Sequence, residues 1–460
     1  MMEGIPQLAF TVALELIRIA LQAGTAASLA VMLKGFSVMR RYRLRGLARD
    51  DAAILLKSPL APPVAVIAAV PDASEATRTF VHNLVKLHYG DHEVLLVLDG
   101  PSDEELAVWV AEFSLFPSSR SSFGDIQTQP VRGVYESRDP IRLMVVEKEK
   151  GGVADSLNVG LNLAAAPLVA LADPSAELSP FALLRLVRPF LEDPDRTVGS
   201  CAVAPPMEMG SAVERFHSLG CLRAWFGRRA GLAGWNAMLP APGAFLLVRR
   251  QDVVEASGFH SSAFEIFLHL HARFRTLGKP YAIHLVQEHV AVQRPPRSWD
   301  ELRRLTLAVQ KDSLRAAARH RAVLFDCGAL GWVAVPGLFW SGAVRPVLET
   351  AAWLVAAAGL PFGWVSLPLA ALLLLATTVT GTLNSMAAVA LREFVVEKPS
   401  PPGQMMSLFL AAIPENFGFG QWRNLWLIGG LFSLQERAAK AAIPPAPAAP
   451  APPLAAAGPQ

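Results

Sequence analysis

Two carboxylates stand where chemistry could use them. Asp99 closes the apolar run EVLLVLDG, and Asp173 closes PLVALADPS. Both runs read as buried strands: short, rich in Val and Leu, and bounded by turn residues. In an open parallel sheet ligands gather beyond the carboxyl ends of the strands, so two acids at matching ends mark a place where a polar ligand could be held. One such Asp alone would more simply shape a turn. Other reactive residue types carry less. His269 and His271 are two apart and fall on different faces of a helix, which disfavours a shared metal. Cys201, Cys221 and Cys327 show no C-x-x-C spacing and cannot all pair, which fits a reduced compartment rather than a disulfide framework or a zinc site.

The elements that must position those acids are legible from Pro62 onward. VAVIAAV and EVLLVLDG are separated by the helical EATRTFVHNLVKLHYG. RLMVVEK leads into GGVADSLNVGLNLA, a helix opening on two glycines, and then into PLVALADPSAEL. This alternation predicts an α/β domain over 62–327, built on a mostly parallel sheet flanked by helices.

Apolar segments bracket that domain. The 460 residues are 52% hydrophobic and 18% charged, with a mean hydropathy of +0.34, a balance that points to a bilayer. The net charge of +3 gives no reason to invoke nucleic acid. The run from Leu8 to Lys34 exceeds the ~20 residues a spanning helix needs. Glu15 and Arg18, three apart on one helical face, could pair within it. A transmembrane helix is therefore expected over 1–38. Arg40, Arg41, Arg43 and Arg45 follow at once, so 39–61 reads as a basic cytoplasmic linker and the domain after it as cytoplasmic. Interfacial and transmembrane helices are expected over 328–435, with two spans in VLETAAWLVAAAGLPFGW and VSLPLAALLLLATTVTGTLNSMAAVAL. MMSLFLAAI and QWRNLWLIGGLF would form one broken span or a re-entrant pair. Arg345 and Glu349, four apart, could be a structural ion pair or a functional site. The Pro/Ala tail 436–460 should be disordered.

Taken in order, SPLAPPVAVIAAVPDASE, VLDGPSDEE, GGVADSLNVG, DPSAELSPFALLRLVRPF, GAFLLVRRQDVVEASGF and the C-terminal helices resemble membrane family 2 glycosyltransferases of the cellulose- and poly-N-acetylglucosamine-synthase type. The resemblance implies a GT-A fold, a nucleotide-sugar donor such as a UDP-sugar, and a Mg or Mn ion bridging its diphosphate. It implies that the donor meets Asp72, Asp99, Lys148, Asp155 and Asp173, that the acceptor meets Gly243, Ala244 and Phe245, and that Glu265 takes the place of the acceptor base. It further implies a multi-pass protein of the bacterial inner membrane, partnered by polysaccharide synthase subunits.

Departures from the family pattern cluster at its charged positions. The metal-binding D-x-D reads Asp173, Pro174, Ser175, so a hydroxyl replaces the second carboxylate and the metal site becomes vestigial. The E-D pair becomes Phe264 and Glu265. The Q-x-x-R-W signature falls on Leu305, Thr306, Leu307, Ala308 and Val309, without its cation or its indole. An Asn-Glu pair becomes Pro71 and Asp72, and the Lys of GGKADALN becomes Val153, although Gly151, Gly152, Asp155 and Asn158 persist. Several lost transition-state contacts would slow transfer by orders of magnitude. The pattern favours a catalytically degenerate accessory subunit. An active inverting transferase using Asp99, Asp173 and Glu265 remains open, as does a lipid- or polymer-handling membrane protein, which a groove lined with aromatics would favour.

Overall fold

A computed structural model describes the chain except for residues 1–3, 45–60, 121–123, 125, 139–141, 203–209, 241–243, 261–262, 287–289, 326–327, 396–400 and 442–460. Most of the basic linker, the Pro/Ala tail beyond 441 and Gly243 thus lie outside the described residues.

The strands are β1 (Val64–Val70), β2 (His92–Asp99), β3 (Phe116–Pro117), β4 (Val131–Glu136), β5 (Leu143–Lys148), β6 (Leu168–Leu171), β7 (Ala176–Leu178), β8 (Thr197–Ala202), β9 (Phe245–Arg249), β10 (Ala282–Leu285) and β11 (Ala291–Gln293). Nine of them form one sheet in the order β10-β8-β9-β6-β1-β2-β5-β4-β3, and β11 pairs with β7 apart from it. The central set β6-β1-β2-β5 is parallel throughout, whereas β9 runs antiparallel to both β6 and β8, and β4 antiparallel to β5. The mostly parallel α/β architecture is as expected. The reversed strands β4 and β9 were not resolved by apolar runs alone.

The central strands are apolar on both sides because both faces are covered. Residues alternate between two cores: Ala65, Ile67, Leu95, Val97, Val169 and Leu171 face one, and Val64, Val66, Ala68, Val94, Leu96 and Ala170 face the other. The first core continues without a break through Leu222, Trp225 and Phe226 to Met39 of the N-terminal helix and to Ala388, Val389, Leu408 and Ala412 of the C-terminal helices. One face of the sheet is thereby fused to the helical layer.

That layer contains two described helices long and apolar enough to cross a bilayer, Thr11–Arg41 and Leu367–Glu393. The run 347–364, the first of the two expected C-terminal spans, is not one of them. It forms the helix Arg345–Gly359, 15 residues long, with Arg345 donating to Glu349 at 2.7 Å. In the N-terminal helix Arg18 donates to Glu15 at 2.7 Å, as its spacing allowed. The last two runs form the helices Pro402–Pro414 and Gly420–Ala441, broken between them at Phe417 and Gly418.

Glycine sets the closest approach in this layer. A Cβ on Gly231 would stand 2.1 Å from the Val31 carbonyl oxygen, and one on Gly35 would stand 2.9 Å from the Phe226 carbonyl oxygen. Both clashes are with backbone, which cannot rotate away. Gly231→Ala is therefore expected to destabilise the protein by about 1–3 kcal/mol, read as a lower midpoint of thermal unfolding in detergent. Gly227→Ala, whose nearest neighbour would be Asn384 Oδ1 at 4.0 Å, should leave the midpoint unchanged or raise it. Equal midpoints for the two variants would show that this helix contact does not constrain the fold.

Candidate functional site

Strand register aligns the carboxyl ends of β6, β1, β2 and β5. Ile67 pairs with Leu171, Val70 with Leu98, and Asp99 with Lys148. Asp72, Asp99, Lys148 and Asp173 therefore gather along one edge of the sheet, where the sequence placed them.

Lys148 dominates that edge. Its side chain is fully buried, and its Nζ lies 2.6 Å from Asp99 Oδ1 and 2.7 Å from Asp155 Oδ2. It also donates to the Glu149 carbonyl oxygen at 2.6 Å. Asp99 accepts two backbone donors besides, Gly151 N–H on Oδ1 at 2.8 Å and Gly152 N–H on Oδ2 at 2.9 Å. Gly152 makes this reachable, because its φ of +90° opens the turn into the helix Val153–Leu163. That helix has no side-chain cap of its own at Gly152, so the Asp99 carboxylate lies against its positive end from a neighbouring strand. Burial raises the Asp99 carboxyl pKa, but Lys148 and the Gly151 and Gly152 amides outweigh it and hold the group below the usual carboxylate range.

The other acids are also engaged. Asp155 Oδ1 accepts Gln129 N–H at 2.9 Å. Asp72 Oδ1 accepts Ser74 N–H at 3.1 Å and the Thr77 hydroxyl at 2.8 Å, and these partners keep its carboxyl low. Ser74 in turn caps the helix Glu75–Val85. Asp173 Oδ1 accepts Ser175 N–H at 2.8 Å, the turn geometry Asp commonly adopts after a strand. The donors available to a divalent ion here are one carboxylate, already sharing an oxygen with its own turn, and one neutral hydroxyl. A hard dication is usually bound by more anionic oxygen, so this donor set fits a resident Mg or Mn poorly.

Several of the singled-out positions serve the interior. Glu265 is buried and pairs with Arg319 and with His320 Nε2, the latter at 3.1 Å, tying the helix Ala263–Thr276 to the end of the helix Trp299–Arg319. Its two oxygens hold these helices together. Phe245 is fully buried on β9 and Ala244 is 5% exposed beside it, so the Phe245 ring fills the core rather than meeting an acceptor. Asn158, one of the persisting motif residues, donates to the Phe259 carbonyl at 2.9 Å and accepts Phe259 N–H at 2.7 Å, joining the helix Val153–Leu163 to that loop. His271 shares hydrogen bonds with the Tyr281 hydroxyl at 2.8 Å and the Met238 carbonyl at 3.0 Å, a core role.

Leu305, Thr306 and Val309, where the Q-x-x-R-W signature was expected, line a cavity of about 340 Å³ instead. It lies between the helix Ala212–Ala224 with its π-helical extension Trp225–Arg229, the helix Trp299–Arg319 and the C-terminal helices. The adjacent arginines at 228 and 229 were its one sequence signal, and it lacked a partner in the chain to give it meaning.

No family model and no curated protein matches the chain. Among solved structures it is similar to a mannosyltransferase from Pyrobaculum calidifontis in complex with GDP-Man and Mn2+, with 17% identity and a TM-score of 0.47, over 86% of this chain and 99% of that one. It is also similar to glucosyl-3-phosphoglycerate synthase from Mycobacterium tuberculosis in complex with Mn2+, uridine diphosphate and glucosyl-3-phosphoglycerate. That likeness has 15% identity and a TM-score of 0.35, over 58% of this chain and 83% of that one.

Lys148→Met would leave two facing carboxylates without their shared cation. The expected cost is about 3–5 kcal/mol, with part of it recovered in the Asp99→Asn/Lys148→Met double variant. Because the folded pKa of Asp99 lies below its unfolded value, its contribution is present above pH ~3.9 and disappears as pH falls through the folded value. Acid unfolding curves should therefore be shallower for Asp99→Asn. Superimposable curves for wild type and Asp99→Asn would remove Asp99 from the stabilising network.

Proposed function

We propose that this protein is a membrane-bound, glycosyltransferase-like subunit that has given up sugar transfer and assists a polysaccharide synthase, with its α/β domain on the cytoplasmic side of a bacterial inner membrane. The observation that carries this reading is that Asp99 is engaged from within. Lys148 joins Asp99 to Asp155, and Asp99 also accepts the Gly151 and Gly152 amides. A donor nucleotide would meet Asp99 with three of its acceptor positions already taken. Ser175 stands where a second metal-binding carboxylate would be needed, so the charge building on a leaving diphosphate would lack its counter-ion. The helical layer, with the Thr11–Arg41 helix packed on the domain's own core, is the part suited to meeting a synthase partner.

The alternative, an active inverting transferase, is decided by calorimetry on the detergent-purified full chain. UDP, UDP-glucose and GDP-mannose are titrated with and without Mn2+, and nucleotide release is followed in parallel. We expect no metal-dependent micromolar binding and no release. Metal-dependent micromolar binding accompanied by release of the nucleoside diphosphate would overturn the degenerate reading. Ser175→Asp is expected to raise Mn2+ affinity, and unchanged affinity would show that Asp173 does not occupy the metal position.

A further inference from the structure

The cavity of about 340 Å³ in the helical layer, lined also by Gln293 of β11, has a different electrostatic character from the acids at the strand ends. Its charged walls are Arg228, Arg229, Arg345, Arg423 and Glu349, so four cations face one anion. Glu349 is already matched: Arg345 donates to it at 2.7 Å and Asn424 Nδ2 at 2.8 Å. Arg423 reaches Glu415 at 3.4 Å, but Glu415 is buried and also paired with Arg223. Among the described residues Arg228 donates only to a neutral group, the Ser341 hydroxyl at 3.2 Å.

Arg229 is the exception that points to a ligand. It is 9% exposed and lines the cavity, and among the described residues no acceptor is hydrogen-bonded to its guanidinium. Burial, with repulsion from Arg228 second, lowers its pKa to about 10, which still leaves it charged at neutral pH. A buried guanidinium without an anion is costly. Two adjacent arginines present many donors in planar forks, a geometry that matches the several oxygens of a phosphate group. The rest of the wall is mixed: Gln293, Gln310 and Ser313 line it together with an apolar stretch of Leu305, Leu338 and Leu427, and Phe216 stacks on Phe419 with ring centroids 5.0 Å apart. The volume suits a headgroup or a small phosphate ester, at the low end of ligand pockets.

We infer that this cavity binds a phosphate-bearing ligand through Arg228 and Arg229, with its apolar portion against the leucine wall. Two sources share this chemistry, the headgroup of an anionic lipid and a soluble phosphate ester.

The test is thermal unfolding of the detergent-purified full chain with dioleoyl phosphatidic acid, inorganic phosphate or dioleoyl phosphatidylcholine added in increasing amounts, since a ligand that binds only the folded state raises the midpoint saturably. We expect a saturable rise with phosphatidic acid and none with phosphatidylcholine. A rise with inorganic phosphate as well would mean that the oxyanion alone suffices, and a rise with phosphatidic acid alone would assign the site to a lipid. Arg229→Gln and Arg228→Gln should each weaken the apparent affinity at least about tenfold. Arg142→Gln, on the exposed side of the sheet domain, should not. Without added anion, Arg229→Gln should unfold at the same temperature as wild type or higher, because it removes an unpaired buried charge, and the order should reverse in saturating phosphatidic acid. Absence of a saturable rise with either phosphate probe, or an equal affinity in Arg229→Gln, would overturn the inference.

Discussion

A fully buried ammonium group must be surrounded by acceptors, and Lys148 meets that demand with Asp99, Asp155 and the Glu149 carbonyl. The arrangement follows from register. Parallel pairing of β2 with β5 places Asp99 directly beside Lys148, and the glycine pair at 151 and 152 lets the chain turn back so that its amides meet the same carboxylate. A single charge network therefore fixes the end of two strands, the turn that follows and the start of the helix Val153–Leu163. Removing one member leaves the others buried and unmatched, so the network is held as a unit. The carboxylate of Asp99 thereby spends three of its acceptor positions on the ammonium and two amides.

The second constraint is the shared core between the sheet and the helical layer. Ile67 and Val97 on the sheet and Met39 and Val389 on long apolar helices belong to one continuous apolar cluster. Where the N-terminal helix meets the segment 226–234, contact is so close that Gly35 and Gly231 have no room for a Cβ. Burial on this scale makes the soluble-type domain and the helices one packing unit rather than a domain on a tether. The arginine-lined cavity opens between the π-helical turn Trp225–Arg229 and the C-terminal helices.

How far the sequence could be read depended on how local each cause was. The strands β1, β2, β5 and β6 and the acids at their ends were legible because apolar runs and turn residues are neighbours in the chain. The pairs Glu15–Arg18 and Arg345–Glu349 were legible for the same reason, being a helical turn apart. Glu265 was not, since its partners Arg319 and His320 arrive from another helix. Phe245 sits in a sequence that resembles an acceptor loop, yet β9 enters the middle of the sheet and turns that ring into the core. Strand β4 was missed because its alternation is weak and its residues are exposed or half-buried. The cavity draws its arginines from three stretches of chain far apart in sequence, and nothing in a linear reading brings those together.

These facts together describe a molecule whose charge has changed place. At the sheet edge, where transfer chemistry would want accessible anions and a cation bridging them, negative charge is consumed by Lys148 and by backbone amides. In the helical layer positive charge is left over, with Arg229 buried and without an acceptor among the described residues. Buried charge is tolerated only when it is matched, so the first region is complete by itself while the second is complete only with something bound. On the proposed reading a bound anion matches the buried guanidinium of Arg229, while the acids at the strand ends are held by their own neighbours.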